Sequence, residues 1–396
     1  MILTIIFLFS FSNTGDSAHK DALKNTFQAS CNTAHNSIKF YEIDANAQTD
    51  DLKKMYVIAE TESPTKKGNH TFVFAIGEQA LTVLRLLQKE NIGLCSFVAS
   101  VHQWFDSIND LNLDWLAIPK GAVAHNASFN AYTQTHATKV IPMFAVPCLN
   151  PTPLELQQRY EQWNCTNKPN IDGKYIIVTL PGDAPDEQNK MKLFSKASAE
   201  KLVTAVVKLW KDLGSTHTIL VQNSPRTGKY NEQGKVICDH KKPKDAIDDP
   251  VVDEISSYVK SRFSEERVPF KFYNFLFETE GEKIIGNNSV FFPLFYLASR
   301  NCENRCIVPA ESVSMIGQIP CYVFAKNCIY FRPDSMNDSH EALLQVALQQ
   351  PYGGYFTSDG TLVPATGENV ESCRSLTDAD LLIKTITQDL FQEQNS

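Results

Sequence analysis

Nowhere in its 396 residues does the chain hold an unbroken apolar run of the roughly 18 to 20 residues that a membrane-spanning helix needs, so no transmembrane segment is expected. An excess of positive charge is also missing. Counting 37 basic against 45 acidic residues gives a formal charge of −8, which argues against a nucleic-acid duplex or an anionic membrane as the main partner. Any anion must then be held by a local pocket. The ten cysteines, spread from Cys31 to Cys373, lack the dense spacing of a disulfide scaffold and read as reduced thiols of a cytoplasmic protein. Cys302, Cys306, Cys321 and Cys328 are not spaced like a zinc knuckle, so no metal site is expected. There is no Gly-x-Ser-x-Gly elbow, Walker lysine loop, His-Glu-x-x-His helix or Gly-x-Gly-x-x-Gly fingerprint, which removes the commonest hydrolase, NTPase, zinc protease and dehydrogenase readings. Short-period repeats and low-complexity tracts are absent too.

The 43% hydrophobic and 21% charged residues are those of a globular chain long enough for about two domains. Two segments share one pattern: a continuous β-rich apolar run, then small polar residues, then an amphipathic helix. Residues 2–11 lead into Asp16 and His19, and residues 175–180 lead into Pro181-Gly182-Asp183. This is how a buried parallel strand feeds a helix. Residues 2–11 also suit the apolar region of an export signal, although no basic residue precedes them, and a periplasmic two-lobe solute-binding protein is the reading that would follow. Five Asn-x-Ser/Thr sequons carry weight only with such export.

Further strands are expected at 38–43, 72–76, 94–98 and 115–118, with a helix at 79–89 whose Leu81, Leu84 and Leu87 share a face. Pro147, Pro151 and Pro153 then remove donors and fix φ, placing a boundary between an N-terminal lobe, 1–150, and a C-terminal lobe, 151–365. The second lobe reads as a helix at 199–213, strands at 218–221, 270–273, 305–308 and 322–324, and a buried run at 290–297. Residues 235–249 read as a solvated charged loop. In 366–396, Ala379, Leu382, Ile383, Ile386 and Leu390 mark one helical face.

In an open α/β sheet, ligands bind beyond the carboxyl ends of the strands. Three loops of the second lobe meet that condition. Gly182 would let backbone approach a ligand closely, or simply make a tight turn. After 218–221, Asn223, Ser224, Arg226, Thr227 and Gly228 gather polar groups and a permanent charge suited to a diphosphate, the competing reading being a surface turn. After 305–308, Glu311 could accept from sugar or ribose hydroxyls while Ser312 and Ser314 offer hydroxyls, the alternative being a capped structural helix.

The pairing of Asn223-Ser224-Pro225-Arg226-Thr227-Gly228 with Glu311-Ser312-Val313-Ser314-Met315 resembles the mitochondrial fission protein family of plants and its bacterial relatives. That resemblance implies a GT-B-like α/β architecture: two Rossmann-like lobes with parallel sheets facing a central cleft, and a C-terminal helix crossing back to the first lobe. It implies a nucleotide-diphosphate sugar as donor, with no other cofactor, bound by the second lobe, and a protein or glycan acceptor on the first. Glycosyl transfer without a metal would use Arg226 and helix termini to stabilise the departing diphosphate. His19 and Asp16 are the acceptor-side catalytic candidates, His19 as the base. The alternative is a non-catalytic module that recruits a protein partner at an organelle surface, since fold alone carries no activity.

Overall fold

The structure is a computed structural model that describes residues 2–11, 14–31, 37–46, 54, 57–58, 61, 69–89, 95–124, 126–148, 151–163, 165, 167–185, 190–238, 241–243, 253–275, 277–280, 283–287, 290–321, 323, 325–349, 352–365 and 377–393. Its residues fall into two compact units, Met1–Asn150 with Leu376–Ser396, and Pro151–Ser375. Each is a Rossmann-like α/β unit built on a parallel sheet, the class expected from the strand-helix alternation.

The first unit contains β1 (Ile2–Phe9), β2 (Ser37–Asp44), β3 (Asn69–Ile76), β4 (Ser96–Ser100), β5 (Trp115–Pro119) and β6 (Lys139–Met143). They lie in the order β2-β1-β3-β4-β5-β6, all parallel. Helices cover both faces of such a sheet, so its inner strands β1 and β5 are buried almost throughout, while the edge strand β2 carries Lys39, Glu42 and Asp44. Alternate residues of β1 therefore enter opposite cores. Phe7 and Phe9 join Leu23 and Phe27 of α1 (Thr14–Cys31), while Ile6 and Leu8 join Leu81, Leu84 and Leu87 of α2 (Glu78–Lys89). Residues 2–9, which also suited an export signal, are used here as a strand paired on both sides. Because β1 lies between β2 and β3, the chain reverses direction across the sheet there, opening a crevice at the carboxyl ends of β1 and β3.

The second unit contains β7 (Tyr175–Thr179), β8 (Thr218–Gln222), β9 (Phe270–Tyr273), β10 (Arg305–Pro309), β11 (Cys328–Phe331), β12 (Gly354–Phe356) and β13 (Leu362–Val363). Their order is β9-β8-β7-β10-β11-β12-β13, with only the last pairing antiparallel. The first six follow the 3-2-1-4-5-6 arrangement of dinucleotide-binding sheets, with the switch point between β7 and β10. The flanking helices are α3 (Pro153–Gln162), α4 (Lys196–Asp212), α5 (Glu254–Glu265), α6 (Phe291–Arg300), α7 (Val313–Gln318) and α8 (Asp338–Gln349). Pro153 opens α3 behind a reciprocal cap in which Thr152 Oγ1 accepts from the Glu155 N–H and Glu155 Oε2 accepts from the Thr152 N–H. The strand expected at 322–324 is described only at Val323. Val323 is a buried bend, Tyr322 and Phe324 lie outside the described residues, and the sheet takes Cys328–Phe331 instead. Of the charged loop expected at 235–249, residues 239–240 and 244–249 also lie outside them, and Lys241–Pro243 is a short strand paired with Phe277–Thr279 rather than loop.

The terminal helix, α9 (Asp378–Glu393), belongs to the first unit. Ala379, Leu382, Ile383 and Ile386 are buried beside Phe27 and Phe74, while the side chain of Leu390 lies outside the described residues. Asp378 accepts from the N–H groups of Phe144 and Ala145, both at 2.8 Å. No described helix is long and apolar enough to cross a membrane.

Candidate functional site

The carboxyl ends of β7, β8 and β10 bring three sequence-distant loops together. Gly182, three residues beyond β7, donates its N–H to Glu311 Oε1 at 2.7 Å. A Cβ at Gly182 would lie 2.8 Å from both Arg226 Cβ and Ser224 Oγ, so glycine is what lets the loop after β8 close onto the loop after β7. The switch point thus joins Gly182, Ser224, Arg226 and Glu311. Arg226 is exposed, whereas Glu311 Oε2 is shielded from solvent and has no hydrogen-bond partner among the described residues. At the end of β8, Gln222 spends its Nε2 on Thr179 Oγ1 (3.1 Å) and leaves Oε1 likewise shielded and without a partner.

Burial pushes the Glu311 carboxyl up to about 7, against the pull of the Gly182 and Glu311 N–H groups and the Arg226 charge, with Asp183 adding to the rise. Asp183 is itself raised by burial, although N–H groups of Tyr230, Phe194 and Lys229 hold its carboxylate down. Its Oδ1 and Oδ2 accept from Phe194 and Tyr230 at 2.9 Å each, tying the chain after β8 to the loop after β7.

The remaining residues expected in this site divide by role. Asn223 is 1% exposed, with Oδ1 accepting from the Phe275 N–H (2.6 Å) and Nδ2 donating to Ser256 Oγ (3.1 Å). Thr227 is fully buried; its Oγ1 donates to the Pro181 carbonyl (2.8 Å) and accepts from the Ser224 N–H (2.9 Å). Gly228 has φ +60, and a Cβ there would meet Asp253 Oδ1 at 2.8 Å. All three shape the loop, Asn223 and Thr227 from within and Gly228 by its left-handed backbone. Ser312 and Ser314 place their hydroxyls 3.4 Å apart beside Glu311, and Ser312, at the start of the six-residue α7, makes no side-chain cap, so the alternative reading of a side-chain-capped helix is not what they form.

Asp253 was not among the sequence candidates. It caps α5, accepting from the Ser256 N–H (2.7 Å) and Ser256 Oγ (2.6 Å), and so braces Asn223 and Gly228 from behind. The signal was an acid directly before a helix with apolar periodicity.

In the first unit, Asp16 lies half-buried in the first turn of α1 with its carboxylate against Gly77, whose φ is +76; a Cβ there would meet Asp16 Oδ2 at 2.6 Å. This is the β1/β3 crevice. His19, the candidate acceptor-side base, is enclosed rather than exposed. It is 5% exposed, its Nε2 lies 2.8 Å from Ser100 Oγ at the end of β4, and burial, helped by His102, lowers its pKa to about 3. A neutral, enclosed imidazole is a weak base. Ser100, invisible as a partner in the sequence, fixes α1 to β4.

Cys302 is exposed, Cys306 and Cys328 are buried, none of the three is in a disulfide, and no group of three or more His, Cys, Asp or Glu among the described residues could hold a metal ion.

No family model matches the chain. No curated protein matches it either. Solved structures resemble it over nearly its whole length at very low identity. The UDP-GlcNAc 2-epimerase of Methanocaldococcus jannaschii has 10% identity and a TM-score of 0.41, over 98% of this chain and 100% of that one. S. aureus MnaA, solved with UDP, has 9% identity and a TM-score of 0.45, over 98% and 97%. The lipopolysaccharide outer core galactosyltransferase WaaB, in its apo form, has 9% identity and a TM-score of 0.42, over 98% and 100%. Likenesses at this level carry no inference about activity.

Proposed function

We propose that the second unit binds a nucleotide-diphosphate sugar at the β7/β10 switch point and that the chain is a GT-B-like, glycosyltransferase-related protein. The observation that carries this reading is the meeting of Gly182, Ser224, Arg226 and Glu311 in one place, with a shielded, unpartnered carboxyl oxygen left for a ligand. Arg226 supplies a permanent guanidinium for the diphosphate, and Ser224, Ser312 and Ser314 supply hydroxyls. Asn223, Thr227 and Gly228 act by holding that loop. A departing diphosphate needs positive charge, which Arg226 offers without demanding a divalent cation. In the first unit, Asp16 is the group we assign to the acceptor hydroxyl, with His19 positioning α1 through Ser100.

Calorimetric titration with UDP-sugars and GDP-sugars tests this. Saturable binding of at least one, weakened roughly tenfold or more by Arg226→Ala through the lost charge-assisted contact, is expected. Folded protein that binds none of them removes the proposal. The second reading, a recruiting module like the fission family, is favoured by the exposed apolar pair Val236 and Ile237, 45% and 59% accessible, in the turn that follows the Arg226 loop. Affinity capture separates the two: partner recovery indifferent to Arg226→Ala, with no sugar bound, supports recruitment.

A further inference from the structure

We propose that Glu311 works as a carboxylic acid in the filled site, Oε2 donating a hydrogen bond to a diphosphate oxygen, so that ligand binding draws a proton from solvent. This rests on the nucleotide-sugar reading above. With Oε1 already accepting from the Gly182 N–H, Oε2 is the atom left to meet a ligand, and it is shielded. Diphosphate oxygens only accept, so a productive contact with them requires a donor. An ionised carboxylate held there would instead face like charge away from water, where repulsion is least screened.

The charged groups that face Glu311 come from the two neighbouring loops. Arg226, after β8, favours the ionised form; Asp183, after β7, opposes it. Ser312 and Ser314, on its own loop, carry no charge. Burial already holds the carboxyl at about 7 without a ligand, and two more negative charges move it in the same direction.

The full chain is titrated with UDP-glucose and GDP-mannose at pH 8 in two buffers of different ionisation heat; neither ligand's diphosphate titrates near that pH. The expected result is uptake approaching one proton per ligand bound, with affinity falling by up to about tenfold per pH unit above pH 7. Glu311→Gln keeps a donor and a similar shape, so it is expected to bind with no uptake and a flat pH profile. Binding by the native chain without uptake, or with proton release, overturns the inference. Equal uptake by the Gln variant also overturns it. The native chain's own measurement suffices if that variant does not fold. Absence of saturable binding by the folded native chain overturns the underlying reading as well, which keeps the two failures distinct.

Discussion

Burial disfavours the charged forms of both Glu311 and His19, and so imposes opposite pH dependences on them. The folded-state pKa of Glu311 is raised from 4.5 to about 7, so between those values the folded chain binds more protons than the unfolded one, and stability falls as pH rises through that window. For His19 the folded value is lowered from 6.5 to about 3, so the unfolded chain binds more protons there, and stability falls as pH drops through it. Each group contributes a slope of roughly one kcal/mol per pH unit. Glu311→Gln is therefore expected to gain on the native chain from pH 4.5 to about pH 7, and His19→Gln to gain on it from pH 6.5 to pH 4.5. Urea unfolding at those pH values measures both differences; a pH-independent difference for either variant contradicts the burial argument. The sequence showed Arg226 and Glu311 as chemistry-bearing residues. It could not show that Glu311 is held by a glycine 129 positions away, or His19 by a serine 81 positions away, because strand order creates those pairs.

At the scale of elements, the loop after β8 is a turn braced by a helix cap. Gly228 has φ +60 and packs against Asp253, while Gly234 has φ +72 with nothing within 4 Å of an added Cβ. Alanine at either position incurs left-handed strain of about 1–2 kcal/mol, but only Gly228→Ala also collides with the cap of α5. Gly228→Ala is expected to destabilise by about 2–4 kcal/mol and to weaken nucleotide-sugar binding, whereas Gly234→Ala incurs the strain alone and binds normally. Denaturant midpoints and titrations of the pair check this, and equal losses would show that the Asp253 contact is irrelevant. Parallel strands buried on both faces are the most legible elements because they are continuously apolar: the expected 218–221 falls within β8, and Tyr175–Thr179 of β7 lies within the expected 175–180. The same rule fails between Tyr322-Val323-Phe324 and Cys328-Ile329-Tyr330-Phe331. Both are β-rich and short, and pairing with β10 from Cys306 onward selects the second.

For the whole molecule, the first unit is assembled from both ends of the chain while the second is continuous, which makes the tail part of a distant core. Leu382, Ile383 and Ile386 are fully buried against residues of α1 and the first sheet, each worth about 1.5–3 kcal/mol. Asp378 satisfies two N–H groups just after β6, and Trp115 Nε1 donates to Asp389 at 3.1 Å. Taken together these interactions rival the whole stability of a domain, about 5–15 kcal/mol. The apolar face of residues 379–390 was legible as a helix seeking a groove, but amphipathic period alone does not name the groove. Removing residues 376–396 is expected to unfold the first unit while leaving the second intact. Hydrogen exchange distinguishes them: amides of β1 and β3 to β5 should lose protection, while those of β7, β8 and β10 keep it. Retained protection in β3 and β4 of the shortened chain would mean that the first sheet stands without its terminal helix.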